Sequence, residues 1–255
     1  ITIDQPLVAG GDLAITTVTA PGGAGGILVD AALIAEAGSV TITSVEDITI
    51  DAPVSSVLGG IKVDADDEVV VNEGLTAQDG IEVVGDTKIV LTAAANLLAD
   101  TGSISLTSAA GSIAADGRIE TLDSGNISLD ASTDITSKAT ITSAAGNVSL
   151  TSGSGAVVSA NSLEATAGGV AVTADLAVEV AEVAALDSIK IKGGTNVTLT
   201  DAVSVTGAAG GGGPFGGGDQ ADMRGYRLPG DCQSWRAPGP DRPGICCGRG
   251  FLCAG

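Results

Sequence analysis

The chain has 255 residues, of which 44% are hydrophobic, and a formal net charge of −20 at pH 7. Residues 1–207 carry 27 acidic and 6 basic side chains, a net charge of −21, and residues 208–255 carry a net charge of +1. A body this acidic repels nucleic-acid phosphates and anionic lipid, so neither is expected as a partner. No apolar run approaches the roughly 18 residues of a membrane-spanning helix, so membrane insertion is not expected either.

The first predicted strands precede a loop. Leu13-Ala14-Ile15 alternates apolar with small side chains, which is typical of a strand, and Ile27-Leu28-Val29 is the next such segment. The gap between them is six residues longer than in later repeats and contains residues 21–26, which are rich in glycine, so a loop is predicted there. Because the pattern reaches back to Ile1 with no start methionine, we expect this segment to belong to a longer array.

From residue 38 onward one short phrase recurs, as in Gly38-Ser39-Val40-Thr41-Ile42 and Gly146-Asn147-Val148-Ser149-Leu150. Its glycine is expected to supply a positive φ at a tight corner. The first aliphatic residue of each copy lies at Val40, Ile61, Ile81, Ile104, Ile127, Val148, Val170 or Ile189. These positions are 19 to 23 residues apart. A repeat of nearly fixed length in this range indicates a solenoid.

Two further aliphatic positions follow in each repeat. The second comes eight or nine residues after the first, at Ile48, Val69, Ile89, Ile113, Ile135, Val157, Val178 and Val197. The third comes at Val54, Leu75, Ile119, Ile141, Leu163 and Val203, with Leu97 and Val183 as candidates in two looser repeats. Each position starts a short period-two alternation, which predicts three strands per repeat, and no window sustains helical spacing.

The repeat predicts an all-β, single-stranded parallel β-helix over residues 1–207, with about 21 residues and three short strands per coil. Each strand would pair in parallel with its equivalent one coil away, about 4.8 Å along the axis. Two interior rows would then come from the first strands. The first row begins at Val40 and ends at Ile189, and the second contains Ile42, Val63, Val83, Leu106, Leu129, Leu150, Val172 and Ile191.

No catalytic arrangement is evident. The chain has no histidine, the usual base beside a serine or cysteine nucleophile. The densest carboxylate group is Asp64-Ala65-Asp66-Asp67-Glu68, the first place to consider paired-carboxylate chemistry or calcium. Its spacing matches neither an EF-hand loop nor the nonapeptide glycine–aspartate calcium repeat, and equivalent positions in other coils are Thr43, Thr107 and Thr151. We therefore expect a solvated turn, with no catalytic, cofactor-binding or metal site and no enzymatic activity in this segment.

The repeat pattern ends at Gly207. Residues 208–255 contain every aromatic residue and all four cysteines, and they are rich in glycine, proline and arginine without any period. This composition predicts a disordered tail. Arginine without lysine, together with clustered cysteines, also resembles out-of-frame translation of GC-rich DNA. The cysteines lack a Cys-x-x-Cys pair, so zinc is not expected.

The Gly-x-Ile-x-Leu phrase and its period of about 21 residues resemble the repeat shafts of filamentous-haemagglutinin-like exoproteins, over residues 1–207. Those proteins are large secreted or surface-attached bacterial adhesins with right-handed parallel β-helical shafts. The resemblance implies a structural and adhesive shaft, extracellular or on the bacterial surface, monomeric within a longer chain. It implies a host or neighbouring-cell surface protein or glycan as partner, and it transfers no functional residue. The alternative is a fragment of a β-helical polysaccharide-active lyase or hydrolase.

Overall fold

A computed structural model confirms the all-β parallel solenoid. It describes residues 1–18 and 26–206 and, beyond them, only the backbone of three short strands, Arg227–Pro229, Ser234–Trp235 and Ile245–Cys246. The coils make about 9 turns of about 21 residues, with three strands per coil and no helix. The predicted loop at 21–26 lies almost wholly outside the described residues, as does most of the predicted disordered tail.

Three sheets run along the solenoid, and all their strands within residues 1–206 are parallel. Sheet I holds the first strands, namely Leu13–Thr16, Val40–Ser44, Ile61–Ala65, Ile81–Gly85, Ile104–Ser108, Ile127–Ala131, Val148–Ser152, Val170–Ala174 and Ile189–Gly193. Sheet II holds the second strands, namely Thr2–Ile3, Ile27–Val29, Ile48–Ile50, Glu68–Val71, Lys88–Leu91, Ser112–Ala115, Ile135–Ser137, Val157–Ser159, Ala177–Val180 and Asn196–Leu199. Sheet III holds the third strands, namely Leu7–Ala9, Leu33–Ala35, Val54–Ser56, Leu75–Ala77, Leu97–Ala99, Ile119–Thr121, Ile141–Ser143, Leu163–Ala165, Val183–Ala185 and Val203–Val205.

Equivalent residues of neighbouring coils pair as the repeat predicts. In sheet I, Ile127 lies between Ile104 and Val148. The two candidates in the looser repeats are confirmed, because Leu97 pairs with Ile119 and Val183 pairs with Leu163 in sheet III. Beyond the parallel coils, Arg227–Pro229 pairs antiparallel with Asn196–Leu199 at the end of sheet II. The insertions between repeats are therefore absorbed in the corners and never shift the strand register.

The core is a continuous set of stacked aliphatic side chains. From Val40 to Val172, every member of the two interior rows of sheet I is at most 2% exposed. Burial of each such side chain contributes about 1.5–3 kcal/mol. Ile189 and Ile191 are only half-buried, although both were predicted to be interior. They lie in the last strand of sheet I among the described residues, so one side of each has no neighbouring coil there.

The corner glycines are needed mainly because the backbones of neighbouring coils approach closely there, and less because of unusual backbone angles. Among the described residues, only Gly125 has a left-handed φ, at 134°, so the expectation of a positive φ in each repeat was wrong. A Cβ on Gly146 would lie 2.1 Å from the Gly125 carbonyl oxygen, and one on Gly102 would lie 2.2 Å from the Asp79 carbonyl oxygen. The corner backbones of successive coils stack so closely that they leave no room for a side chain.

Buried serines close several corners through two hydrogen bonds each. Ser143 accepts a hydrogen bond from the Gly146 amide at 2.9 Å and donates one to the Gly125 carbonyl of the preceding coil at 2.8 Å. Ser56 does the same with Gly59 and Gly38. A serine three residues before a glycine thus ties its own turn to the neighbouring coil, a pattern that the sequence analysis missed.

Candidate functional site: the outer face of sheet I

Sheet I offers the widest regular outer surface, because most of its strands are five residues long and place two side chains outward. The first outward row contains Ala14, Thr41, Lys62, Glu82, Ser105, Ser128, Ser149, Ala171 and Lys190. The second contains Thr16, Thr43, Asp64, Val84, Thr107, Asp130, Thr151, Thr173 and Lys192. The predicted alignment of Asp64 with three threonines is confirmed. Most coils therefore present hydroxyls, with charges at intervals.

Lys62 is the centre of a small charged cluster on this face. Its Nζ lies 3.4 Å from the Asp64 carboxylate and 3.5 Å from the Glu82 carboxylate of the next coil. Desolvation is the largest single influence on the pKa of Lys62 and lowers it, but the combined attraction and hydrogen bonding of Glu82 and Asp64 outweigh desolvation, so the pKa lies above its ordinary value. The three side chains are 33% to 52% exposed, so solvent screens these pairs and their contribution to stability is small.

An open groove of about 480 Å³ lies beside this cluster, where the strands of sheet I begin. Its lining includes Ser39, Gly60, Lys62, Gly80 and Ser105. The groove is wide open to solvent, so a ligand there would stay largely exposed, unlike a ligand in an enclosed site. The two corner glycines, Gly60 and Gly80, are part of the lining of the groove.

The corner before sheet I carries a row of side-chain oxygens, here called the acceptor row. Each oxygen accepts a hydrogen bond from the backbone amide of the equivalent residue in the next coil. Asn126 Oδ1 accepts from the Asn147 amide at 2.8 Å, and Asn147 Oδ1 accepts from the Gly169 amide at 2.8 Å. The other members are Asp12, Ser39 and Ser103. This row adds to the backbone hydrogen bonds that link neighbouring coils at the same corner, such as the one that the Ile127 amide donates to the Asn147 carbonyl.

The acidic segment 64–68 joins sheets I and II: Asp64 and Ala65 end a strand of sheet I, Glu68 begins a strand of sheet II, and only Asp66 and Asp67 form the predicted turn. Two of its carboxylates interact with the next coil. Glu68 forms an ion pair with Lys88 at 3.1 Å, and Asp67 accepts a hydrogen bond from the Thr87 hydroxyl at 2.5 Å. Asp66 borders a second depression of about 260 Å³. Within residues 1–18 and 26–206, no group of three or more His, Cys, Asp or Glu side chains is arranged to hold a metal ion.

Comparison with known proteins finds no matching family model, no matching curated protein and no matching solved structure. In the part of the chain that the structure describes, no helix is long and apolar enough to cross a membrane. The class that the fold defines is a repeat protein of the parallel β-solenoid type.

Proposed function

We propose that this chain is a structural and adhesive shaft of a secreted or surface-attached bacterial exoprotein, as its resemblance to filamentous-haemagglutinin-like repeats implies. The observation that supports this proposal is that equivalent residues of neighbouring coils pair without a register shift in all three sheets. Each coil is bound to its neighbours on three sides, which gives a stiff rod. About 9 coils at about 4.8 Å each span roughly 45 Å.

The outer face of sheet I suits adhesion through many weak contacts. Its outward rows repeat hydroxyl side chains such as Ser128 and Thr151 at the coil spacing. A stiff array holds such groups at fixed intervals, so a repetitive ligand such as a glycan engages several coils together. Weak contacts made together on one scaffold give a much stronger overall attachment than any of them alone.

Bead attachment tests the adhesive role. The full chain, biotinylated at its N-terminus, is coupled to beads that flow over epithelial and bacterial layers, and retention is counted. We expect retention above bare beads, and loss of it for Ile127→Asp, which disrupts the stacked core. Retention no better than bare beads on every surface, or equal retention by the disrupted chain, would refute the adhesive proposal.

The Lys62 cluster favours a second candidate, a fragment of a β-helical polysaccharide-active lyase or hydrolase. Glu82 and Asp64 bring two carboxylates to one lysine beside the groove, and such groups serve acid and base steps in sugar cleavage. The full chain is incubated with neutral and acidic polysaccharides, and new reducing ends are measured. If Glu82→Gln abolished cleavage and the control Glu120→Gln retained it, the result would favour the enzyme over the adhesive shaft.

A further inference from the structure

The acceptor row is interrupted at Gly60 and Gly80, which have no side chain to continue it. The amide of Gly60 still has its acceptor, Ser39 Oγ, at 3.3 Å. The amides of the next two coils, Gly80 and Ser103, have no hydrogen-bond acceptor among the described residues. Beyond the interruption the row resumes, because Ser103 Oγ accepts from the Asn126 amide at 3.0 Å.

The acceptor row is also interrupted at Gly169, but the surroundings of Gly169 differ from those of Gly60 and Gly80. A Cβ on Gly169 would meet the Ser188 hydroxyl at 2.8 Å, so a neighbouring side chain already occupies that position. At Gly60 and Gly80 the nearest atoms are only the backbone of the next coil, with the carbonyl oxygens of Gly80 and Ser103 at 2.9 and 2.8 Å. The open groove of about 480 Å³ lies over these two corners.

The groove therefore combines the amides of Gly80 and Ser103, which lie one coil apart and have no acceptor among the described residues, with surrounding hydroxyl groups. Its cation, Lys62, is balanced by two carboxylates. Gly80 is partly buried and Ser103 is exposed, so water pairs with both amides in the free chain, and a ligand that brings oxygen acceptors would replace that water. Lys62 is matched by Glu82 and Asp64, and residues 1–207 carry a net charge of −21, so an anion is repelled. The ligand chemistry that fits is neutral and rich in hydroxyl groups.

We propose that this groove binds a neutral saccharide, whose ring oxygens or hydroxyls accept hydrogen bonds from the amides of Gly80 and Ser103. Equatorial oxygens on alternate carbons of a pyranose ring are separated by nearly the spacing of neighbouring coils, about 4.8 Å. Thr41 and Ser105, at opposite ends of the groove, supply hydroxyls to the same ligand. Binding at one groove is weak, because residues 1–206 contain no aromatic side chain to stack on a sugar ring. This inference deepens the proposed adhesive function by naming a ligand class for one surface.

The test is a titration of the ¹⁵N-labelled full chain with cellotetraose and maltotetraose, followed by amide chemical shifts. We expect saturable shifts of the Gly80 and Ser103 amides with at least one of the two sugars. The amides of Asn126 and Asn147 are internal controls, because side-chain oxygens already bind them. Absence of saturable shifts at Gly80 and Ser103 with both sugars would overturn the proposal.

Two outward variants locate the site. Ser105→Leu and Thr41→Leu place bulk in the groove and should weaken binding by about tenfold or more. Ser149→Leu changes the same outward row two coils beyond Ser105, outside the groove, and should leave binding unchanged. Equal weakening by all three variants, or tighter binding of tetragalacturonate than of the neutral sugars, would contradict the assignment.

The outcome is separable from that of the bead experiment. A chain that binds neither sugar but still retains beads on cells would refute the saccharide site and leave the adhesive function standing. A chain that binds a sugar through this groove but retains no beads would support the site and refute adhesion. Melting temperatures of Ser105→Leu and Ser149→Leu, compared with that of the parent chain, confirm that both variants are folded.

Discussion

The inward and outward side chains of the same strands of sheet I follow different rules. Along the inner row that contains Ile127, every coil from Val40 to Val170 supplies a buried aliphatic residue. Along the outer row that contains Ser128, the residue changes from threonine to lysine, glutamate, serine and alanine. An inner position must match both neighbouring coils, whereas an outer position faces water. Stability therefore resides in the inner positions that repeat, whereas the outer positions are free to vary.

The largest contrast is between Ile127→Asp and Ser128→Asp, adjacent residues of one strand. Ile127 is fully buried between Ile104 and Val148, so an unpaired carboxylate there should destabilise the coil by several kcal/mol. Ser128 points outward and should accept aspartate with a change within about 0.5 kcal/mol. Urea denaturation of the two variants measures the difference. Equal losses would contradict the assignment of inside and outside.

A second contrast lies inside the solenoid, between two buried serines of the same row. Ser152 accepts a hydrogen bond from the Gly155 amide at 3.0 Å and donates one to the Thr133 carbonyl. The Ser108 hydroxyl, two coils away, is buried and has no hydrogen-bond partner among the described residues. Ser152→Ala should cost about 1–3 kcal/mol, because it leaves buried backbone groups unpaired. Ser108→Ala should be neutral or stabilising in the same melts, and a loss as large as that of Ser152→Ala would be inconsistent with this account.

The acceptor row provides a third, smaller contrast on the outside. Asn147→Ala removes the acceptor of the Gly169 amide and the donor to Asn126 Oδ1, so we expect a loss of about 0.5–1.5 kcal/mol. Ser149→Ala, two residues further on, serves as control and should change stability by less than about 0.5 kcal/mol. Hydrogen exchange of the Gly169 amide should quicken only in Asn147→Ala. Unchanged exchange there would show that the acceptor row does not hold this corner.

The smallest effect is expected from Lys62→Ala, because its ion pairs are exposed. We expect a loss below about 0.5 kcal/mol that shrinks further with added salt. Since attraction raises the pKa of Lys62, its stabilising contribution is complete below the ordinary lysine value of about 10.4 and is lost as the pH rises through the higher folded-state pKa. Denaturation at neutral pH and at high pH measures this, and a difference between Lys62→Ala and the parent that grows with pH would reverse the sign.

Most of the fold could be predicted from the sequence, because period-two alternation and a repeat near 21 residues read directly as stacked strands. Even the loose repeats at Leu97 and Val183 were placed correctly. The half-exposure of Ile189 was missed, because an alternating pattern does not show which coil lacks a neighbour on one side.

The candidate site was harder to predict, because its parts come from different coils. Asn126 and Asn147 are 21 residues apart, and only the strand register brings one side chain to the amide of the other. A recurring Asp, Ser or Asn directly before the first aliphatic residue was the available pattern. The glycines at 60 and 80 look like ordinary corner residues until the acceptor row that they interrupt is known. Both glycines line the groove, and the composition of the outer row does not reveal this.

In-register stacking also determines how this chain responds to mechanical load. The hydrogen bonds between coils run along the solenoid axis, so a pull on the two ends loads the bonds of an outermost coil directly. Because each coil contacts only its neighbours, coils should detach singly from an end. Each detachment frees about 21 residues, or roughly 70 Å of extended chain. A force–extension curve should then show a regular sawtooth, and a tether under flow would lengthen stepwise while its remaining coils stay intact.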